Sequence, residues 1–449
     1  MMSLREAVRN PAVAVAVLAL AVRLVLVPLL TYDYDIYHWA QIIQNIQTGD
    51  GLYGVDGYYY TPTWGYLLAF LSLVMDAFLN VGDMGSQIVE LLAVQDLSFR
   101  FHTATTVTIA FAACIKVPLV IADLLTGYLI YRFVLEDTGS GRKATFGMAL
   151  WLLCPTVIYM SGVQAQFDSF SALMMMLVFL LVRRDRDVLA GMVLAAGTLL
   201  KFFPAFTMLV LVAYVLCKHR GDGTGAKRVL AAVAGAAAMA VVMYLPIILE
   251  GDLATSLTFV TGRTDDMQDF ALEAVFNYLL IGIALLGMVV FGYLMYRTPR
   301  EEADRRLPVY MLMALALSML ISATPQYMLV MLPFLIIVMM CHDGRMRLPW
   351  ILITAGSILS AFANNNVLLL DGASAYLGLV SPEWILSAAG IFDATVGGIT
   401  VTTWLCSIGQ ALEYVGFILV PLIWYGDTLE ARLPRLSAAL RKIKRWDCE

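Results

Sequence analysis

Apolar residues in this chain arrive in long unbroken blocks separated by short polar stretches, not at every second or third position. Blocks of this kind are the signature of helices bathed in hydrocarbon, because one spanning helix needs roughly 20 apolar residues. Their centres fall near residues 20, 122, 153, 175, 195, 211, 238, 286, 315, 333, 358 and 413, which predicts twelve spans. One region departs from the pattern. Between about Thr31 and Thr106, Ile36, Trp39, Ile43 and Ile46 recur at helical spacing, with His38, Gln41, Gln44 and Asn45 on the other positions. That is an amphipathic helix expected to lie along the membrane surface. A second helix, around Trp64 to Phe78, is predicted beside it in the same long outer loop. The fold class that follows is all-α: a polytopic membrane protein with about twelve transmembrane helices and a long first outer loop carrying interfacial helices. Further outer loops are expected near 249–275 and 371–398, and no internal repeat is visible.

Composition supports the same solvent. Of 449 residues, 61% are hydrophobic and 14% charged, against about 25% charged in a soluble domain. The net charge of -5 is small, and no basic patch interleaved with aromatics points to nucleic acid as a partner. Arg5 and Arg9 precede the first apolar run, which extends from about Pro11 to Leu30 without a small-residue cleavage site. It is expected to be a retained helix and not a signal peptide.

Charge sets the topology. With the N-terminus inside, all but five of the 29 Lys and Arg residues fall in cytoplasmic segments, as the positive-inside bias requires. Both termini then face the cytoplasm in a cell-membrane protein. Counting residues 64–79 as a span would put Arg142 and Lys143 outside. The exceptions are Arg23, Arg100, Lys116, Lys201 and Arg263, and cations in or beyond the membrane usually have a partner or a task. Asp123 and Glu413 are the carboxylates expected in mid-span, buried and paired. The six cysteines lie in apolar segments or at cytoplasmic ends, and none sits in an outer loop, so no structural disulfide is expected. With no CxxC and no Cys/His cluster, zinc is not expected either.

Candidate chemistry lies at the outer ends of the helices. Asp33 and Asp35 follow the first span directly; either can act as a general base toward an incoming hydroxyl, or Asp35 can cap the amphipathic helix while Asp33 is solvated. Gln164, Gln166 and Asp168 lie in the short turn between spans three and four, where Asp168 has an N-cap alternative. Lys201 ends the short fifth span. It either snorkels to the interface or binds a lipid phosphate. Gln326 and Tyr327 follow the helix-breaking Thr324-Pro325, where Tyr327 also fits an aromatic belt. Arg263, with Asp265, Asp266 and Asp269, forms an outer charge run.

Taken in order, the motifs resemble the GT-C superfamily of membrane glycosyltransferases. The likeness is to the GPI mannosyltransferase I catalytic subunit and to prokaryotic polyprenol-phosphate-mannose-dependent mannosyltransferases. The residues that carry it are the Asp33/Asp35 pair, YYYTPTWGYLLAF (58–70), IADLLTGYLIYR (121–132), GVQAQFDSFSA (162–172), LAGMVLAAGTLLKFFP (189–204) and ATPQYMLVMLPFL (323–335). The resemblance covers residues 20–335 and implies a catalytic module over 1–345, with 346–449 adding helices and a basic cytoplasmic tail. The segment Asn80 to Thr105 is longer than in the GPI enzyme. The resemblance implies a polyprenyl- or dolichyl-phosphate-sugar donor, with mannose the sugar, and a glycan, glycolipid or glycoprotein acceptor in a membrane-lipid setting. Asp33 would be the base, with Asp35 beside it. Lys201 and Arg263 would hold the donor phosphate, and Tyr60, Gln164, Gln166, Asp168, Gln326 and Tyr327 would line an extracytoplasmic cavity. A single-phosphate donor gives a divalent metal no evident diphosphate to bridge, so no metal or other cofactor is assumed. Twelve spans, and a loop at 137–143 that resembles the helix 2–3 loop of major-facilitator transporters, leave a secondary transporter as the alternative. A non-catalytic lipid-binding or scaffold subunit is a third reading.

Overall fold

The computed structural model describes residues 10–53, 60–79, 88–90, 105–257 and 271–426. Arg100, Arg263, Cys448 and the basic tail lie outside the described residues. The chain forms an all-α membrane protein. Six helical segments are long and apolar enough to cross a bilayer: Pro11–Leu29, Ile109–Thr138, Gly225–Glu250, Tyr278–Arg297, Gly344–Leu377 and Val401–Trp424. A pair bent by 49°, Gly141–Leu152 with Pro155–Gly162, makes a seventh if it counts as one span.

In chain order α1 is Pro11–Leu29, α2 Asp33–Thr48, α3 Pro62–Leu79, α4 Ile109–Thr138, α5 Gly141–Leu152 and α6 Pro155–Gly162. Then come α7, Asp168–Arg183, α8, Asp187–Thr198, α9, Met208–Lys218, α10, Gly225–Glu250, and α11, Ala271–Arg297. The last are α12, Ala303–Ser318, α13, Leu332–Cys341, α14, Arg347–Asn365, α15, Asp371–Leu377, α16, Pro382–Asp393, and α17, Val401–Trp424. Every predicted span centre falls on one of these helices or on the α5–α6 joint. Twelve helices of full spanning length, however, are not what forms. Segments α7, α8, α9, α12 and α13 run only 10–16 residues. Lys201-Phe-Phe-Pro and Thr324-Pro325 interrupt them, and proline removes a helical donor. Short helices are tolerated where protein, not lipid, surrounds the broken backbone. Thr61 and Thr63 hydroxyls from the start of α3 donate to the Leu199 and Ala196 carbonyls at the end of α8.

Where it is described, the region expected as the first outer loop packs against the rest of the protein. The apolar face of α2 is buried at Ile36, Trp39 and Ile43, packed against protein: Trp39 lies 5.5 Å from Trp64 and 5.8 Å from Phe167 between ring centres. An antiparallel ladder pairs β1 (Ile88–Glu90) with β2 (Thr105–Val107). The stretch expected as an outer loop near 371–398 contains α15 and α16 and leads into a hairpin of Thr395–Val396 with Ile399–Thr400.

Two of the exceptional cations hold helices together. Arg23 in α1 is fully buried, 3.0 Å from Asp123 in α4. It also donates to the Leu152 carbonyl at 2.8 Å, and Asp123 accepts from Ser161 at 2.5 Å. Lys116 donates to the Val27 and Leu30 carbonyls at 3.0 and 2.7 Å and to Thr31 at 2.9 Å, satisfying the otherwise open C-terminal end of α1. Glu413 in α17 is fully buried facing Ser357 of α14; the cationic partner expected for it is absent among the described ion pairs.

Charged side chains gather at one end of the bundle. Arg183–Asp137, Lys218–Asp185, Arg228–Asp187, Arg306–Glu302 and Arg345–Asp343 pair there at 2.7–3.0 Å. The opposite end carries the candidate site.

Candidate functional site

The backbone explains why Asp33 and Asp35 part company. Helix α2 begins at Asp33, with Tyr32 as its N-cap, so neither carboxylate caps it. At 3.6 residues per turn, positions two apart point to opposite faces. Asp33 turns inward, is 6% exposed and accepts a hydrogen bond from Thr106 at 2.5 Å, close to the Lys116 charge. Asp35 turns into a cavity and accepts from the Gln166 amide at 2.5 Å.

That cavity has a volume of about 350 Å³. Asp35, Tyr60, Gln164, Gln166 and Gln326 line it together with Tyr32, Tyr34, Ser360, Asn364 and Gln410. Gln164 and Gln166 both reach it because Ala165 between them takes the left-handed conformation, with φ of 57°. A side chain other than glycine is uncommon there. The turn is pinned where the Gln164 and Gln166 amides donate to the Tyr159 and Met160 carbonyls, each at 2.9 Å.

Asp168 opens α7 at its first helical position instead of capping it. It lies 3.5 Å from the Lys201 ammonium. Lys201 itself is 5% exposed. Three rings enclose its ammonium: Tyr327 at 4.4 Å, Phe167 at 4.7 Å and Tyr60 at 5.5 Å. A cation over aromatic faces is stabilised by the ring quadrupoles. Lys201, Asp168 and Tyr327 thus stand beside the cavity without lining it, and the Tyr60 ring both lines the cavity and faces the Lys201 ammonium.

Electrostatics favours a proton-accepting group here. Burial pushes the Asp35 carboxyl up to about 7, against the Gln166 hydrogen bond and the Lys201 charge, with Asp168 adding to the rise. Asp33 is also pushed up to about 7 by burial, opposed by Thr106 and Lys116. A carboxylate that titrates near neutrality suits general base chemistry. Only Asp35 of the two opens into the cavity.

Of the ten residues singled out from sequence, five line this cavity, three stand beside it, Asp33 occupies a separate polar cluster, and Arg263 lies outside the described residues. Sequence reasoning missed Tyr32, Tyr34, Ser360, Asn364 and Gln410. Asn364 and Gln410 carried a usable signal, being amides within largely apolar helices.

No protein-family model matches this chain, and no curated protein matches it either. The class that fold and site define is an all-α membrane protein with a polar cavity at one end of its bundle.

Proposed function

We propose that this chain is a membrane glycosyltransferase that moves a hexose, mannose on the resemblance, from a polyprenyl-phosphate donor to an acceptor hydroxyl. Support comes chiefly from one observation: the Asp35 carboxylate opens into an amide-lined cavity with the Lys201 cation one ring away. Amides and tyrosine faces suit a sugar, which offers hydroxyls at its rim and C–H on its faces.

The chemistry follows from these groups. Asp35 takes the proton of the acceptor hydroxyl as its oxygen attacks the anomeric carbon. The bond from that carbon to the phosphate oxygen breaks, and its electron pair leaves on the phosphate. Attack opposite the leaving group inverts the centre. Lys201 contributes a fixed positive field where that charge grows, and the same field favours the ionised form of Asp35. The resemblance gave the base role to Asp33; the cavity favours Asp35. In this reading the GT-C-like chain traverses the membrane twelve times through long and short helices. Its termini lie in the cytoplasm and the cavity opens on the extracytoplasmic side of the cell membrane.

The test is purified protein in liposomes with radiolabelled mannosyl polyprenyl phosphate and membrane-extract acceptors. Asp35→Asn is expected to lower transfer about 10²–10⁴-fold, the usual worth of a general base, while Asp33→Asn keeps activity within about tenfold. The reverse ranking returns the base to Asp33. Solute uptake without any sugar transfer by the wild-type protein would move the reading to a transporter.

A further inference from the structure

A second cavity, of about 1150 Å³, lies at the charged end of the bundle, far from Asp35. It forms where the start of α1, the start of α5 and the turn from α13 to α14 meet. Its lining is two-faced. One part carries the cations Arg142, Lys143 and Arg347; the other is apolar, with Val15, Phe146 and Met340 among its residues. Among the described residues, no carboxylate lines it.

The cations set this site apart from its surroundings. Arg183, Lys218, Arg228, Arg306 and Arg345 on the same end each have a carboxylate within 3.0 Å. Arg142, Lys143 and Arg347 take part in none of the ion pairs among the described residues. Three like charges around one space repel each other, and an anion between them relieves that repulsion. The first turn of α5 adds to the potential: its Ser140 cap accepts from the Lys143 amide at 3.3 Å, and the positive end of the helix dipole faces the same space. Phe146, 50% exposed beside these cations, remains uncovered by any polar anion.

We infer that this cavity binds the phosphate head group of an anionic glycerophospholipid, with an acyl chain along Val15, Phe146 and Met340. The size argues for a lipid and not a free phosphate. Sites for drug-sized ligands run to about 1,000 Å³, and inorganic phosphate would leave most of this space and its apolar wall unfilled. Basic pockets between helices at the cytoplasmic membrane face are where anionic head groups bind. The inference is independent of the glycosyl-transfer reading, because it uses none of the residues around Asp35.

Native mass spectrometry of the full chain, released from a neutral detergent with added lipid, tests it. Phosphatidylglycerol is expected to give at least tenfold greater occupancy of the first bound-lipid state than phosphatidylcholine. The triple variant Arg142→Gln/Lys143→Gln/Arg347→Gln is expected to abolish that preference. Arg142→Gln alone, an exposed change that leaves folding intact, should reduce it about threefold, and Lys227→Gln, on the same end but outside the cavity, should leave it unchanged. Equal occupancy by the two lipids, or a preference that survives Arg142→Gln undiminished, overturns the proposal. Displacement of the bound lipid by millimolar inorganic phosphate would overturn the lipid assignment in favour of a free anion.

Discussion

Two carboxylates two positions apart meet different fates because helix α2 begins at the first of them. Asp33 faces Thr106 and Lys116, and Asp35 faces Gln166 and the cavity. The consequence is measurable in a pH profile. Burial lifts Asp35 to about 7, so the proposed base is ionised above that pH and protonated below it. Transfer rate should halve near pH 7 and fall about tenfold for each further unit of acidification, as expected when one ionisation controls the reaction. Lys201 opposes the rise; Lys201→Met should therefore move the acid limb to higher pH, whereas a purely structural lysine would lower the rate at every pH alike. An acid limb that stays in place in Lys201→Met would remove the lysine from this role. At this scale the sequence singled out Asp35, Tyr60, Gln164, Gln166 and Gln326, which the fold brings to one cavity. It could not separate Asp33 from Asp35, because their divergence depends on α2 beginning at Asp33. Nor does an alanine at 165 announce a positive φ; that conformation is imposed by the hydrogen bonds around it.

At the level of elements, apolar blocks were enough to locate helices but not to give their lengths. Blocks at 175, 195, 211, 315 and 333 end early at Pro, Gly and charged residues, and only packed neighbours show that such short helices are viable. Small residues decide how close two of the pairs come. Helices α8 and α10 touch so tightly that a methyl group on Gly191 would sit 1.9 Å from the Ala232 carbonyl oxygen, and one on Gly235 would sit 2.1 Å from that of Val188. The same holds for α14 and α17, where a methyl on Gly356 would lie 2.4 Å from the Gly409 carbonyl oxygen. Membrane helices rely on such contact because lipid gives them no hydrophobic drive to associate. Gly191→Leu is expected to destabilise the protein by about 1–3 kcal/mol or more, the usual cost of overpacking, and to lower its midpoint of thermal unfolding in detergent. The same change at Gly282, where a methyl meets nothing within 4 Å, should be silent. Equal behaviour of the two variants would show that the α8–α10 contact does not set stability.

Across the whole molecule, the two ends differ in kind: ion pairs and a basic cavity at one, amides and buried carboxylates at the other. Lys and Arg bias made this polarity readable from sequence. Single cysteines placed in a cysteine-free background test which side each end occupies. In intact cells a membrane-impermeant maleimide should label Thr48→Cys and Leu379→Cys, and should reach Lys227→Cys and Arg300→Cys only after lysis. Labelling of both sets without lysis would refute the proposed topology. The division at residue 345 reads differently once the cavity is seen. Asp35, Tyr60, Gln164, Gln166 and Gln326 reach it from before that point, and Ser360, Asn364 and Gln410 from after it. A polypeptide cut at 345 would keep Asp35 and lose Ser360, Asn364 and Gln410 from the lining, so those three side chains belong to the receptacle as fully as the aspartate does.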